Sequence, residues 1–277
     1  MTFAPDLVLH DITRRRCEAF VADPHNGLLL YGSFGCGLLT LAQAIARALS
    51  NEPGAMMVVQ GSEGKDIAIE QIRQLYHDTR AKRSGRLTVI IDDAERMSVP
   101  AQNSFLKLLE EPPENVVFIV ATHSPQLLLP TIRSRIAAIE VRPISRSVSL
   151  SMIEEHGIND AMTQSQLLFL AGGRPAGLMK LLDDPDYFSV RADVTRQARS
   201  VLQASTYQRL IGMKVAMGDR ATALELVTTM GNIISYGIAK QPSDRSAHQL
   251  DIIASTIDQL QSNANVRLQL LHLALAL

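Results

Sequence analysis

The residues with the clearest chemical potential form a glycine-rich loop between an apolar run and an amphipathic segment. The loop and the three residues that follow its last glycine supply these candidates: Gly32, Gly35, Gly37, Leu38, Leu39 and Thr40. A functional phosphate loop has the pattern GxxxxGKS or GxxxxGKT, whose lysine and hydroxyl group bind the terminal phosphates and Mg²⁺. Here Leu38 and Leu39 occupy those two positions, and Thr40 lies one residue too late to supply the hydroxyl.

Two leucines can neither neutralise phosphate charge nor bind magnesium, so we expect no ATP hydrolysis at this loop. Residual binding of ATP or ADP is one interpretation of what remains, because a helix N-terminus still offers N–H groups and a positive dipole end. A tight turn without a ligand is the other interpretation, and both are kept. The prediction is that the protein has no cofactor.

A second candidate group is the acidic pair that ends the apolar run LTVIIDDAERM (87–97). In an NTPase, Asp92 would hold Mg²⁺ and Asp93 would activate water, although glutamate is usual at the second position. Without the lysine these carboxylates have no evident cation to bind. The favoured interpretation is therefore structural, with the carboxylates capping the next turn and pairing with Arg96.

Two arginines complete the candidates. Arg135 follows Ser134 in TIRSRI (131–136), and an arginine at a subunit edge can act on the ATP of a neighbour. From spacing alone, a surface salt bridge is the better explanation of Arg135. Arg174 lies in AGGRPAGL (171–178) and could face a nucleotide, but a glycine cap followed by proline at a new helix explains the rest of that segment.

The first half of the chain alternates apolar runs with amphipathic segments. Strands are predicted at 27–31, 56–60, 87–92, 116–122 and 137–141, and helices at 38–50, at 67–82 and from Pro100 onward. This alternation predicts an α/β fold with a parallel sheet between two layers of helices. Such sheets bind ligands at the carboxyl ends of their strands.

After Pro143 only helical spacing is found. Three short helices are predicted first, then longer helical segments at 190–217, 220–240, 246–261 and 264–277, with a polar loop at 242–248. The predicted domains are a nucleotide-binding-like domain (1–143), a helical lid (144–186) and a helical oligomerisation domain (187–277).

Composition excludes several classes of protein. The chain has 277 residues, 46% of them hydrophobic, and a formal net charge of −1, so charge gives no argument for direct DNA binding. Its two cysteines, Cys17 and Cys36, cannot form a four-thiolate zinc site and do not resemble a disulfide framework. No apolar run is long enough to span a membrane, and we expect a cytoplasmic protein with no metal site.

The stretch from Ile69 to Arg135, and above all AQNSFLKLLEEPPENVVFIVATH within it, resembles the AAA+ clamp-loader family of bacterial DNA polymerase III, most closely its delta-prime branch. The resemblance covers about residues 20–180 and returns at 263–277. It implies a RecA-like domain, a helical lid and a helical collar that assembles a five-subunit ring. Expected partners are the motor (gamma/tau) and delta subunits, with the sliding clamp and primer-template DNA contacted through the complex.

The resemblance also assigns roles to particular residues. Ser134 and Arg135 match the Ser-Arg-Cys motif, whose arginine serves the adjacent motor subunit, and Thr122 matches the sensor position after the fourth strand. Ile136 replaces the motif's cysteine and is expected to pack. The family's four-cysteine zinc module is absent, since residues 50–66 contain no cysteine, and the collar looks short.

The leading hypothesis is a non-catalytic ring subunit that supplies Arg135 to a neighbour and helps to load the sliding clamp. One alternative is an active motor ATPase, which Leu38 and Leu39 oppose. The other is an AAA+ pseudoenzyme that acts as a scaffold or regulator outside replication.

Overall fold

A computed structural model describes residues 3–50, 52–61, 66–80, 85–262 and 264–277, with only the backbone described for residues 239–240. The described chain divides into two compact units, Met1–Asp183 and Asp184–Leu277. No helix within the described residues is long and apolar enough to cross a membrane.

The first unit is built on a five-stranded parallel sheet in the order β2-β3-β4-β1-β5. Its strands are β1 (Gly27–Tyr31), β2 (Met56–Val59), β3 (Leu87–Ile91), β4 (Val116–Thr122) and β5 (Ala137–Glu140). All residues of β3 and β4 are buried, as their unbroken apolar runs predict for central parallel strands. The predicted α/β parallel sheet is therefore confirmed.

Helices cover both faces of this sheet. They are α1 (Asp11–Ala22), α2 (Leu38–Leu49), α3 (Ile69–Arg80), α4 (Val99–Glu110) and α5 (Pro130–Arg133). The apolar faces of α3 and α4 pack with Ile132 of α5 into one buried cluster, and α1 and α2 pack into a second. The last two residues of the helix predicted at 67–82 lie outside the described residues.

Three further helices complete the first unit: α6 (Arg146–Glu155), α7 (Ala161–Ala171) and α8 (Pro175–Asp183). Gly172 ends α7 in the left-handed conformation with φ 55°, and Pro175 begins α8, as the glycine and proline positions predict. Both cysteines are free and buried in the cluster beneath α1 and α2, and burial raises the pKa of the Cys17 thiol to about 12.

The second unit is helical: α9 (Pro185–Gln203), α10 (Thr206–Gly212), α11 (Arg220–Lys240), α12 (Asp244–Gln261) and α13 (Val266–Ala276). These helices enclose a separate apolar cluster that includes Leu226, Met230 and Leu270.

Two predictions for this unit are wrong in detail. The segment 190–217 is not one helix, because α9 ends at Gln203 and α10 begins at Thr206. The second helix packs against the first, and the Gln197 side chain donates to the Gly212 carbonyl at 2.7 Å. The loop predicted at 242–248 is mostly helix. Ser243 caps α12 by accepting from the Ser246 N–H, so the polar residues there start a helix.

Candidate functional site

The glycine-rich loop lies at the carboxyl end of β1, where it turns into α2. Gly35 and Gly37 have φ angles of 89° and 82°, a region that L side chains rarely adopt, and Gly37 caps α2. A Cβ at Gly32 would lie 2.6 Å from the Val141 carbonyl oxygen. All three glycines are thus required by the local backbone, whether or not a ligand binds.

The side chains after the loop do not form a phosphate site. Leu38 is 3% exposed and packs in the apolar cluster beneath α1 and α2, and Leu39 packs partly against the same cluster. Thr40, the third residue of α2, is exposed. Neither of the two positions that would bind phosphate and magnesium therefore presents a polar side chain.

The start of α8 closes over the glycine-rich loop. The Gly177 N–H donates to the Gly35 carbonyl at 2.9 Å, and a Cβ at Gly37 would lie 3.4 Å from the Ala176 Cβ. Arg174 is turned away into the end of α7, where its guanidinium donates to the Ala171 and Leu170 carbonyls at 2.7 and 2.9 Å. This geometry matches the capping interpretation of Arg174.

The acidic pair begins where β3 ends. Burial, and then the neighbouring Asp93 carboxylate, raise the pKa of Asp92 above its ordinary value. Asp93 takes the left-handed conformation with φ 46° and makes no side-chain capping bond, so the predicted capping role is wrong. The Asp93 carboxylate oxygen Oδ1 lies 4.0 Å from His123 Nε2.

Glu95 and His123, which sequence reasoning did not single out, connect these elements. The Thr122 hydroxyl donates to Glu95 Oε2 at 2.6 Å and accepts from the Ser124 N–H at 3.1 Å. The His123 N–H donates to Glu95 Oε1 at 3.1 Å, and its ring Nδ1 lies 2.8 Å from the Gly32 carbonyl oxygen. The hydroxyl at the sensor position is thus engaged within the protein.

The structure therefore gathers one group of candidates and separates another. Gly32, Asp93 and Thr122 meet at the carboxyl edge of the sheet through Glu95 and His123. The only sequence signals for the last two were a carboxylate two residues after the acidic pair and a histidine directly after a buried strand.

Ser134 and Arg135 lie at the opposite, amino edge of the sheet. In the register of β1 and β5, Leu28 pairs with Ala137 and Tyr31 with Glu140, so Arg135 precedes the strand that Gly32 follows. Six residues of extended chain, at about 3.3 Å each, put the two edges roughly 20 Å apart. Arg135 therefore cannot act at the glycine-rich loop of its own chain.

The Arg135 guanidinium is exposed and makes one hydrogen bond and one ion pair. Its Nη1 donates to the Thr131 carbonyl at 3.0 Å, and its Nη2 forms an ion pair with Glu110 Oε1 at 3.0 Å. The Ser134 hydroxyl also donates to the Thr131 carbonyl, at 3.1 Å. Ile136 is buried against the sheet, as expected for the residue that replaces a cysteine there.

Gln102, another residue that sequence reasoning missed, fixes the segment that leads to Arg135. It is 3% exposed, and its amide donates to the Met97 and Leu127 carbonyls at 3.2 Å each. Its Oε1 accepts from the N–H of Leu129, the residue that caps α5, at 2.8 Å. One buried amide thus joins the start of α4 to the start of α5.

Comparison with known proteins finds similarity to subunits of DNA polymerase III. A family model described as DNA polymerase III, delta subunit, matches residues 48–145. DNA polymerase III subunit delta' of Pseudomonas aeruginosa is 31% identical over 178 residues, which cover 55% of this chain and 54% of that protein. DNA polymerase III subunit tau of Escherichia coli is 30% identical over 231 residues, covering 72% of this chain and 36% of that protein. The chain therefore spans between about a third and about half of the length of these curated relatives.

Two solved structures from Thermotoga maritima share the fold. A DNA polymerase III gamma subunit-related protein is 18% identical with a TM-score of 0.57, covering 96% of this chain and 98% of that chain. The RuvB Holliday junction branch migration motor is 16% identical with a TM-score of 0.54, covering 99% of this chain and 90% of that chain. At these identities the likeness concerns the fold alone.

Proposed function

We propose that the chain is a member of the AAA+ clamp-loader family and, within that family, a non-catalytic, delta-prime-like subunit of the DNA polymerase III clamp loader. In this proposal it occupies a ring with the motor (gamma/tau) and delta subunits. It helps to load the sliding clamp onto primed DNA without hydrolysing ATP, and it supplies Arg135 to a neighbouring motor subunit.

The observation that carries the proposal is the burial of Leu38. ATP is the cofactor that the family implies, and the residues at the loop do not fit it. The position that needs a cation holds a leucine that is 3% exposed in the apolar cluster, and Arg174 is bonded to the end of α7. We therefore assign no catalytic step to this loop.

The location of Arg135 supports its proposed role in trans. An exposed guanidinium at the amino edge is out of reach of the chain's own loop but accessible to another subunit. An arginine supplied in this way stabilises charge on the transferred phosphoryl group, and such residues are worth on the order of 10³–10⁵ in rate.

Two other functions remain as competitors. Matches to proteins named gamma/tau or tau favour a motor ATPase, which would need a cation and a hydroxyl where Leu38 and Leu39 stand. A scaffold outside replication would need no loader partners. The helical second unit of this chain is consistent with a scaffold and with a ring subunit alike. Binding to the loader subunits therefore distinguishes a scaffold from a clamp-loader subunit.

The test uses the isolated chain and its assembly with loader subunits. The isolated chain should show no ATP hydrolysis and no saturable binding of Mg·ATP by calorimetry, with the motor subunit as the positive control. It should also co-purify with the motor and delta subunits. Hydrolysis by the isolated chain would establish a motor, and failure to join the other subunits would favour the scaffold.

A further inference from the structure

The ion pair between Arg135 and Glu110 involves the residue on which the proposed role in trans depends. Glu110 is the last residue of α4, and Thr131 lies in α5, so the guanidinium is held by two different helices. Both side chains of the pair remain 40–50% exposed. The contact therefore forms at the surface that a neighbouring subunit would meet.

The hydrogen bond to Thr131 and the ion pair to Glu110 leave part of the guanidinium available. Arginine has five N–H donors in a planar fork, and a phosphate group can accept from more than one of them. The Thr131 carbonyl accepts one of these N–H groups and Glu110 neutralises the charge through an ion pair, so N–H donors remain for an anion. The present contacts restrict the orientation of Arg135 without consuming its capacity to bind an anion.

The place of Glu110 at the end of α4 is unfavourable for the helix itself. The C-terminus of a helix carries partial negative charge, which disfavours a carboxylate, and Glu111 adds a second carboxylate next to it. Helix stability therefore does not explain Glu110. The negative charge collected at this helix end does attract a guanidinium.

We propose that Glu110 is a positioning residue for Arg135, holding its guanidinium ready for the nucleotide of the neighbouring subunit. This inference rests on the proposed function, in which Arg135 acts in trans. Glu110 fixes one edge of the fork and the Thr131 carbonyl fixes the other. Because the guanidinium is already oriented, Arg135 loses less rotational entropy when it enters the neighbour's site.

The experiment is a double-mutant cycle in the reconstituted loader, measured as clamp- and DNA-stimulated ATP hydrolysis. The variants are Glu110→Gln, Arg135→Ala and both together, with Glu111→Gln as the matched control for charge at the same helix end. Glu110→Gln should lower kcat about 10-fold and leave KM for ATP unchanged, because orientation matters in the transition state. Glu111→Gln should be close to wild type.

The cycle separates positioning from a structural effect. If Glu110 acts through Arg135, the double variant is no slower than Arg135→Ala alone, whereas independent effects multiply. Because glutamine has the size of glutamate, the variant should assemble normally, and Glu110→Asp should restore part of the lost rate. Faster turnover in Glu110→Gln would overturn the proposal, because it would show that the ion pair with Glu110 holds Arg135 back from the neighbour's site.

The outcomes also distinguish this inference from its premise. Normal turnover in Glu110→Gln together with a strong defect in Arg135→Ala rejects the positioning role and keeps the trans role of Arg135. Normal turnover in Arg135→Ala rejects both.

Discussion

Asp92 directly follows the fully buried strand β3, and burial disfavours the charged form of its carboxyl group. Burial raises the pKa of its carboxyl group, and the adjacent Asp93 carboxylate raises it further. In a working NTPase a bound Mg²⁺ would offset this cost. Without a bound cation, the ionised form of this carboxylate costs folding free energy.

This cost predicts a stabilising substitution. Because the folded-state pKa of Asp92 lies above the unfolded value, ionisation weakens the folded state at neutral pH, and the penalty fades as pH falls through the raised pKa. Asp92→Asn should therefore raise Tm at about pH 7, by less at about pH 5, in thermal denaturation. Asp93→Asn removes only the repulsion from the neighbouring carboxylate and leaves the burial of Asp92, so it should raise Tm by less. A lower Tm for Asp92→Asn at neutral pH would mean that the carboxylate has a structural partner.

The chemical types at the site were more predictable than their contacts. The leucines at the motif's lysine and serine positions can be read directly from the sequence, because only the order of residues along the chain is needed. The bonds from Thr122 and His123 to Glu95 join residues 27 and 28 positions apart, and no local pattern signals them. The capping role expected of Asp93 was wrong because it depended on a backbone angle that composition does not fix.

At the level of elements, α4 and α5 are joined by the Gln102 amide. It makes three hydrogen bonds to backbone groups, one buried and two partly buried, and each group would lose this partner if the side chain were shortened. Unpaired buried groups cost about 1–3 kcal/mol each. Gln102 thus fixes the start of the segment that ends in Arg135.

Gln102→Ala should destabilise the first unit by roughly 2–4 kcal/mol, with exposed Asn103→Ala as the control on the same helix. The most direct readout is amide hydrogen exchange at Leu129, whose N–H donates to the Gln102 side chain. That amide should lose its protection in Gln102→Ala and keep it in Asn103→Ala. Retained protection in Gln102→Ala would show that another acceptor holds α5 in place.

Element positions in the first unit followed from simple patterns. Buried parallel strands appear as unbroken apolar runs, and Pro100 near the start of α4 is typical of a first helical turn. The second unit was harder because helical spacing continues across the break between α9 and α10. The polar residues at 242–248 suit a loop and a helix start equally well, and only the Ser243 cap distinguishes them.

Across the whole chain, the net charge of −1 gives no basis for direct DNA binding. The two edges of the sheet differ in the polar groups that they present. The carboxyl edge holds a closed loop and internally bonded polar groups, and the amino edge presents an exposed arginine. If Arg135 acts in trans as proposed, its effect is measurable only in an assembled complex.

The central claim is therefore tested by ATP hydrolysis in the reconstituted loader with Arg135→Ala, beside Arg133→Ala as an exposed control two residues away. The account predicts that both variants assemble. Arg135→Ala should lose most of its clamp- and DNA-stimulated turnover, and Arg133→Ala should keep it. Full turnover by an assembled Arg135→Ala complex would contradict the account and leave the chain at most a scaffold.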